Sequence, residues 1–166
     1  MAALSIVRFP HPLLKQPTRA VERIDERIRR VVDALIETMR KHPRCVGLAA
    51  PQVGSDLRIA VMDSTAHPKA TTTQGLVVLI NPELEVAGES VIQREGCLSI
   101  PDFTANVARA SHVRVKSFDQ YGSLREVWFE GFEAIVAQHE IDHLEGKLFL
   151  DRVANVKTDV FRRKTY

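Results

Sequence analysis

The sequence predicts an α+β protein: mainly antiparallel strands packed around a central buried helix that carries His139-Glu140-Ile141-Asp142-His143, with a second helix near the N-terminus. Three observations carry this expectation. Residues 57–129 hold short alternating or continuously apolar stretches with no helical segment between them, so the βαβ succession of a parallel sheet is missing. Ile24, Ile28, Val31, Val32, Leu35 and Met39 recur at spacings of three and four with charge between them, as in a helix with one buried face. From Phe132 to Leu144, apolar residues lie nearly all round a helical axis, which suits a helix enclosed by core.

Taken in order, residues 1–20 contain Pro10, Pro12 and Pro17 among apolar residues and read as an extended arm over the core. The first helix follows and stops before Pro43. Residues 44–54 are rich in Gly, Ala and Pro and read as a loop in which Gly47 lets backbone approach something closely. Residues 57–62 and 76–80 read as strands, with 84–86 and 91–93 as shorter candidates, and the polar, Thr-rich residues 63–75 form an exposed loop between the first two. A loop at 95–101 precedes a hairpin, residues 112–118 and 124–129 around Asp119-Gln-Tyr-Gly122. Gly146 stops the last helix.

With 166 residues, 45% hydrophobic and 27% charged, the chain is expected to be a single globular domain spanning 1–166. No apolar run approaches the ~20 residues of a membrane span, and residues 1–8 lack a secretory apolar stretch, so a cytoplasmic protein with no membrane partner is expected. A net charge of +2 is too small to argue for nucleic-acid recognition. The local basic cluster Arg162-Arg163-Lys164 reads as a solvated tail. A disulfide between Cys45 and Cys97 is not expected in such a compartment, and a metal or catalytic role for one of them fits better.

The chemistry concentrates in residues 139–143. Histidines four apart on a helix project to one side, where two imidazoles can hold a metal, and Glu140 lies between their faces as a general base. A catalytic site needs a third protein ligand and an open position. One protease pattern places a histidine six positions after the second one, where Phe149 stands; another takes a glutamate from a later helix, and none follows Glu145. Cys97, bracketed by Gly96 and Leu98, is the best remaining ligand, and spacing alone leaves it open against a small buried hydrophobe.

Three ordered motifs, Cys45-Val-Gly-Leu-Ala-Ala-Pro-Gln52, Glu95-Gly-Cys-Leu-Ser99 and His139-Glu-Ile-Asp-His143, resemble those of the peptide deformylases, and the likeness extends over almost the whole chain. It implies a metal-dependent hydrolase that removes the N-formyl group from the N-terminal methionine of new polypeptides. By this resemblance Cys97, His139 and His143 hold one divalent metal ion and Glu140 is the base. The resemblance also implies that Gln52 and the Leu98 backbone N–H stabilise the formyl oxygen, while Gly47 and Gly96 offer backbone to an extended substrate. Val46, Phe132, Ile135 and Val136 are expected to wall the methionine pocket, and Glu95 with Arg109 to form an ion pair holding Cys97 behind the metal. Coordination chemistry admits Zn2+, Ni2+, Co2+ or Fe2+, and the family implies Fe2+. Partners would be formylmethionyl nascent peptides and, through the basic tail, the ribosome.

One departure stands out. Cys45 replaces the first glycine of its motif, which raises the expectation of backbone strain if that position requires φ > 0. Two other readings remain at this level: a small metallopeptidase, which needs a third carboxylate or histidine ligand, and a non-catalytic metal module, in which Cys45 would close the site.

Overall fold

The computed structural model describes residues 3–164. The elements are α1 (Glu26–Lys41), β1 (Gly47–Ala49), β2 (Ile59–Met62), β3 (Val77–Cys97), β4 (Ile100–Phe118), β5 (Leu124–Glu130), α2 (Gly131–Leu144), a short α3 (Val156–Asp159) and β6 (Val160–Arg162). The sheet runs β1-β2-β3-β4-β5, with β6 also pairing with β4. Every strand pair is antiparallel. Among the described residues no helix is long and apolar enough to cross a membrane.

α1 begins where Asp25 accepts a hydrogen bond from the Ile28 N–H, satisfying a donor that the first turn leaves open. Its buried residues, Ile28, Val32, Leu35 and Met39, follow the spacing read from the sequence and pack on Leu48, Ile59, Val61 and Ile80. α2 is different. Apart from Gly131, Phe132 and His139 all of its residues are buried, and Ala134, Val136, Ala137, Ile141 and Leu144 pack against Met62, Leu79, Val113 and Phe129. The sheet therefore wraps a helix that has almost no solvated face, and the histidines on it are held rigidly.

Gly146 ends the helix region at φ 72, a conformation costly for other residues. A Cβ there would lie 2.7 Å from the Gln16 carbonyl carbon, so the N-terminal arm passes directly over it. The same arm donates from Val7 N–H to Gln52 O at 2.8 Å and from Phe9 N–H to Ser99 O at 2.9 Å. It thereby clasps the two loops that flank the site.

The strands differ from expectation in three places. The candidates at 76–80, 84–86 and 91–93 belong to one 21-residue strand, β3, and the stretch before 112 extends β4 back to Ile100. No residue of β3 from Glu83 to Arg94 is buried, so this half of the ribbon shows no clean alternation, whereas β4 buries Ala105, Val107, Arg109, Val113, Val115 and Ser117 on one face; backbone pairing with β4 holds β3 regardless. Register shifts between Ile80/Glu83, Ala87/Ser90 and Gly96/Cys97 mark irregularities of the kind that bend a ribbon. Residues 47–49, expected as loop, form an edge strand, and Cys97, expected within a loop, is the last residue of β3. The segment read as a solvated basic tail begins at Arg162, the last residue of β6, which pairs with β4 at Phe103↔Arg162 and Ala105↔Val160.

Candidate active site

β3 delivers Cys97 at its end, and α2 delivers His139 and His143 on successive turns. One ligand atom from each lies within 4.8 Å of the others, and they form a group able to hold a metal. Cys97 Sγ stands 3.3 Å from His143 Nε2, and the two imidazole rings are 5.0 Å apart at 74°. The three ligand candidates named from the sequence thus meet in space.

His139 is oriented from behind. Its Nδ1 lies 2.8 Å from Glu95 Oε1, so the N–H there is taken by a carboxylate and Nε2 is left for the cluster. Glu95 is in turn held by both forks of Arg109, at 2.8 and 2.9 Å. Arg109 also reaches Asp142 at 2.5 Å, and Asp142 accepts from Arg152 at 2.7 Å. The expected Glu95–Arg109 pair is therefore present, but the ligand it touches directly is His139 rather than Cys97. Burial works against the Glu95 charge, yet the hydrogen bonds from Arg109 and His139 outweigh it and bring its pKa to about 2.

The donors are electrostatically ready for a cation. Burial opposes ionisation of the Cys97 thiol, but the charge of His143 and hydrogen bonds from both histidines pull its pKa well below the ordinary thiol value. Thiolate is the form that binds metal. Glu140 has the opposite environment: burial pushes its carboxyl up to about 7 against the influence of His139 and His143. Its Oε1 lies against Gly47, where a Cβ would come within 2.4 Å, and its Oε2 is buried with no hydrogen-bond partner among the described residues. An unpartnered carboxylate oxygen beside such a donor set fits a site completed by a metal ion and water.

Gln52 sits on the other side. Its Oε1 accepts from the Ala49 N–H at 3.0 Å, which turns Nε2 toward Cys97 Sγ and Ser99 Oγ, both at 3.3 Å. Leu98 lies in the two-residue link between β3 and β4. Both line a cavity of about 260 Å³ that opens onto Glu140 and His139. Val46, Gly47, Gly96, Phe132, Ile135 and Val136, the expected pocket residues, line the same cavity.

Cys45 also borders it, but its Sγ donates to the Gly47 carbonyl at 3.1 Å and burial pushes its thiol up to about 12. It stands outside the ligand group, so the closed structural site loses its fourth ligand. The expected strain does not fall on it either. The neighbouring Arg44 takes the positive φ of 65.

Sequence reasoning missed His67, Lys69 and Arg163, which also line the cavity. His67 stacks on Phe132 at 4.3 Å between ring centres. Its loop is pinned by Glu133 Oε1, which accepts from Ser64 Oγ, Thr73 Oγ1 and the Gln74 N–H at 2.9–3.1 Å. Glu133, the one charged residue in the first two turns of α2 between Phe132 and Ala137, was the available signal for that anchor.

The profile of the polypeptide deformylase family matches residues 3–159. The chain belongs to the peptide deformylase family. The peptide deformylase of Syntrophobacter fumaroxidans is 40% identical over 164 residues, covering 99% of this chain and 94% of that protein. Peptide deformylase 1 of Pseudomonas syringae pv. tomato is 43% identical over 165 residues, covering 99% and 95%. Among solved structures, peptide deformylase of Thermotoga maritima superposes with a TM-score of 0.84 at 37% identity, over 93% of this chain and all of that one. The Ehrlichia chaffeensis enzyme in complex with actinonin gives 0.87 at 36% identity, over 95% and 92%. The family is metal-dependent and removes N-formyl groups from nascent peptides, and the chain is a hydrolase acting on formylmethionyl peptides.

Proposed function

We propose that residues 1–166 work as one catalytic domain in which Cys97, His139 and His143 hold ferrous iron and Glu140 is the proton carrier for hydrolysis of the formyl amide. The observation that carries the assignment is the buried, unpartnered Oε2 of Glu140 beside the thiolate and two imidazoles. A divalent cation in that donor set supplies Lewis acidity, making water easier to deprotonate and the formyl carbonyl easier to attack.

Glu140 Oε2 accepts the proton of the attacking water and later returns it to the amine as the C–N bond breaks. Gln52 Nε2, fixed by the Ala49 bond, and the Leu98 N–H donate to the formyl oxygen as it gains charge; donors already aimed there need no reorganisation. The methionine side chain enters between Val46, Phe132, Ile135 and Val136. β1 pairs on one side with β2 and is an edge of the sheet, so the peptide adds along Gly47 and against Gly96 as a further strand. Glu95 and Arg109 keep the His139 ring aimed. In this reading the enzyme works in the cytoplasm, and the exposed Arg162 and Lys164 face the phosphates of the ribosome.

The test is formate release from a formyl-Met tripeptide by anaerobically iron-loaded protein, beside Glu140→Ala and an unformylated peptide. Release that disappears in Glu140→Ala with metal retained supports the roles. Undiminished release from that variant removes Glu140 as the base, and cleavage of the unformylated peptide replaces the deformylation reading with a peptidase.

A further inference from the structure

We propose that His67 is a specificity-determining residue: with Phe132 it forms the far wall of the methionine pocket, and its ring edge receives the thioether sulfur, so that the enzyme prefers formylmethionine to an aliphatic residue of the same shape. This deepens the catalytic reading above and rests on it.

The loop that carries His67 is built onto α2. Glu133, only 2% exposed, holds it at both ends, through the hydroxyls of Ser64 and Thr73 and the Gln74 N–H. Between these anchors the His67 N–H donates to Ser64 O at 2.9 Å and the Ala70 N–H donates to His67 O at 3.0 Å, which fixes the backbone on either side of the ring. Phe132, the helix neighbour of Glu133, then takes the His67 ring face to face, 4.3 Å between centres at 15°. One helix therefore carries two metal ligands, the loop anchor and the ring on which His67 rests.

The position along the helix gives this stack its meaning. Phe132, Ile135, Val136 and His139 follow one another at spacings of three and four and share a side of α2. Phe132 lies about 10 Å from His139 along the axis. Both rings of the stack line the cavity together with Ile135, Val136 and Val46. A methionine whose formyl group sits at the metal ligands and whose side chain runs along this apolar strip brings its far end, the thioether, to His67 and Phe132. With one face covered by Phe132, the His67 ring offers its edge, which is where thioether sulfur prefers to meet an aromatic ring. The Lys69 N–H donates to His67 Nδ1 at 3.2 Å, so the ring proton of the neutral imidazole is on Nε2, and burial together with the Lys69 charge holds the pKa below its ordinary value. The edge thus carries an N–H for which sulfur is a weak acceptor. His67 lies outside the ligand group, and removing a formyl group makes no call on it.

The experiment measures kcat/KM for formyl-Met-Ala amide and formyl-norleucyl-Ala amide, which differ by a methylene in place of the sulfur. A wholly aliphatic wall treats the two alike or favours norleucine, the more apolar of them. Wild type should favour methionine by about threefold to tenfold. His67→Leu should bring that ratio toward one, and His67→Phe, which keeps a ring edge, should retain part of it. Each ratio compares two substrates on the same protein, so a general loosening of the loop cancels. A wild type indifferent to the sulfur, a ratio unchanged in His67→Leu, or a loss in His67→Phe as complete as in His67→Leu overturns the proposal. Absence of formate from formyl-Met-Ala amide with wild type would overturn the catalytic reading and this one with it, whereas release with a ratio near one overturns this one alone.

Discussion

Replacing Arg109 by Met should cost the protein both stability and metal. Arg109 is 4% exposed and neutralises two buried carboxylates, Glu95 and Asp142. Methionine fills much of the space and leaves those charges without it. Removing one partner of a buried pair typically costs about 3–5 kcal/mol, because the other charge stays desolvated. Asp142 still has Arg152 and Glu95 still has His139, so the lower end applies, about 3 kcal/mol. For a chain of this size that lowers Tm by about 6–12 °C. Glu95 without Arg109 also holds the His139 ring less firmly, and loss of such an outer partner usually weakens metal binding about 10-fold to 100-fold. The assay is calorimetry of the metal-loaded and metal-free variant, with metal affinity by competition against a chelator. The double variant Glu95→Gln/Arg109→Met should regain part of the lost Tm, since no uncompensated charge remains, without regaining affinity. A single variant that melts within about 2 °C of wild type and holds metal equally well would refute the reasoning.

Three further outcomes are expected. Gly47→Ala places a methyl 2.4 Å from Glu140 Oε1 and must displace that carboxylate; kcat should fall about 100-fold with metal content retained, measured by formate release and metal analysis. Glu133→Ala removes the acceptor shared by Ser64, Thr73 and Gln74, so the Gln74 amide should exchange more than about 10-fold faster in hydrogen-exchange measurements and KM should rise as His67 leaves Phe132. Burial raises the Asp119 pKa, but the N–H groups of Ser123 and Tyr121 and the Arg125 side chain outweigh it and hold it below the ordinary carboxyl value. A depressed folded pKa gives stability that is present above the unfolded value and lost as pH falls through the folded one; the melting temperatures of wild type and Asp119→Asn should therefore converge in acid.

Both helices were readable because their signals are local. Asp25 caps α1, its apolar residues fall on one face, and Gly146 supplies the left-handed stop beyond α2. The hairpin at 119–122 was equally plain, since Asp119 and Gly122 build the turn from their own neighbourhood. The β3/β4 ribbon was not. The β3 half has no buried side chain from Glu83 to Arg94, so it carries no alternation to betray it, and backbone pairs with β4 hold it in place. β6 was hidden for the same reason: three residues pair with a partner over fifty positions away.

At the site, the sequence by itself determined the chemical types: a two-histidine helix with a glutamate between them, a cysteine, a glutamine, and the family to which they belong. It could do so because the spacing on one helix fixes which side chains share a side, and ordered motifs carry residue identity. Only the tertiary structure decided which atoms meet. It showed Glu95 on His139 rather than behind Cys97, Cys45 turned to a backbone carbonyl, left-handed strain at Arg44, and Arg163 folded onto Gly96. Each of these depends on a through-space contact or a local dihedral set by packing, and neither leaves a periodic trace along the chain.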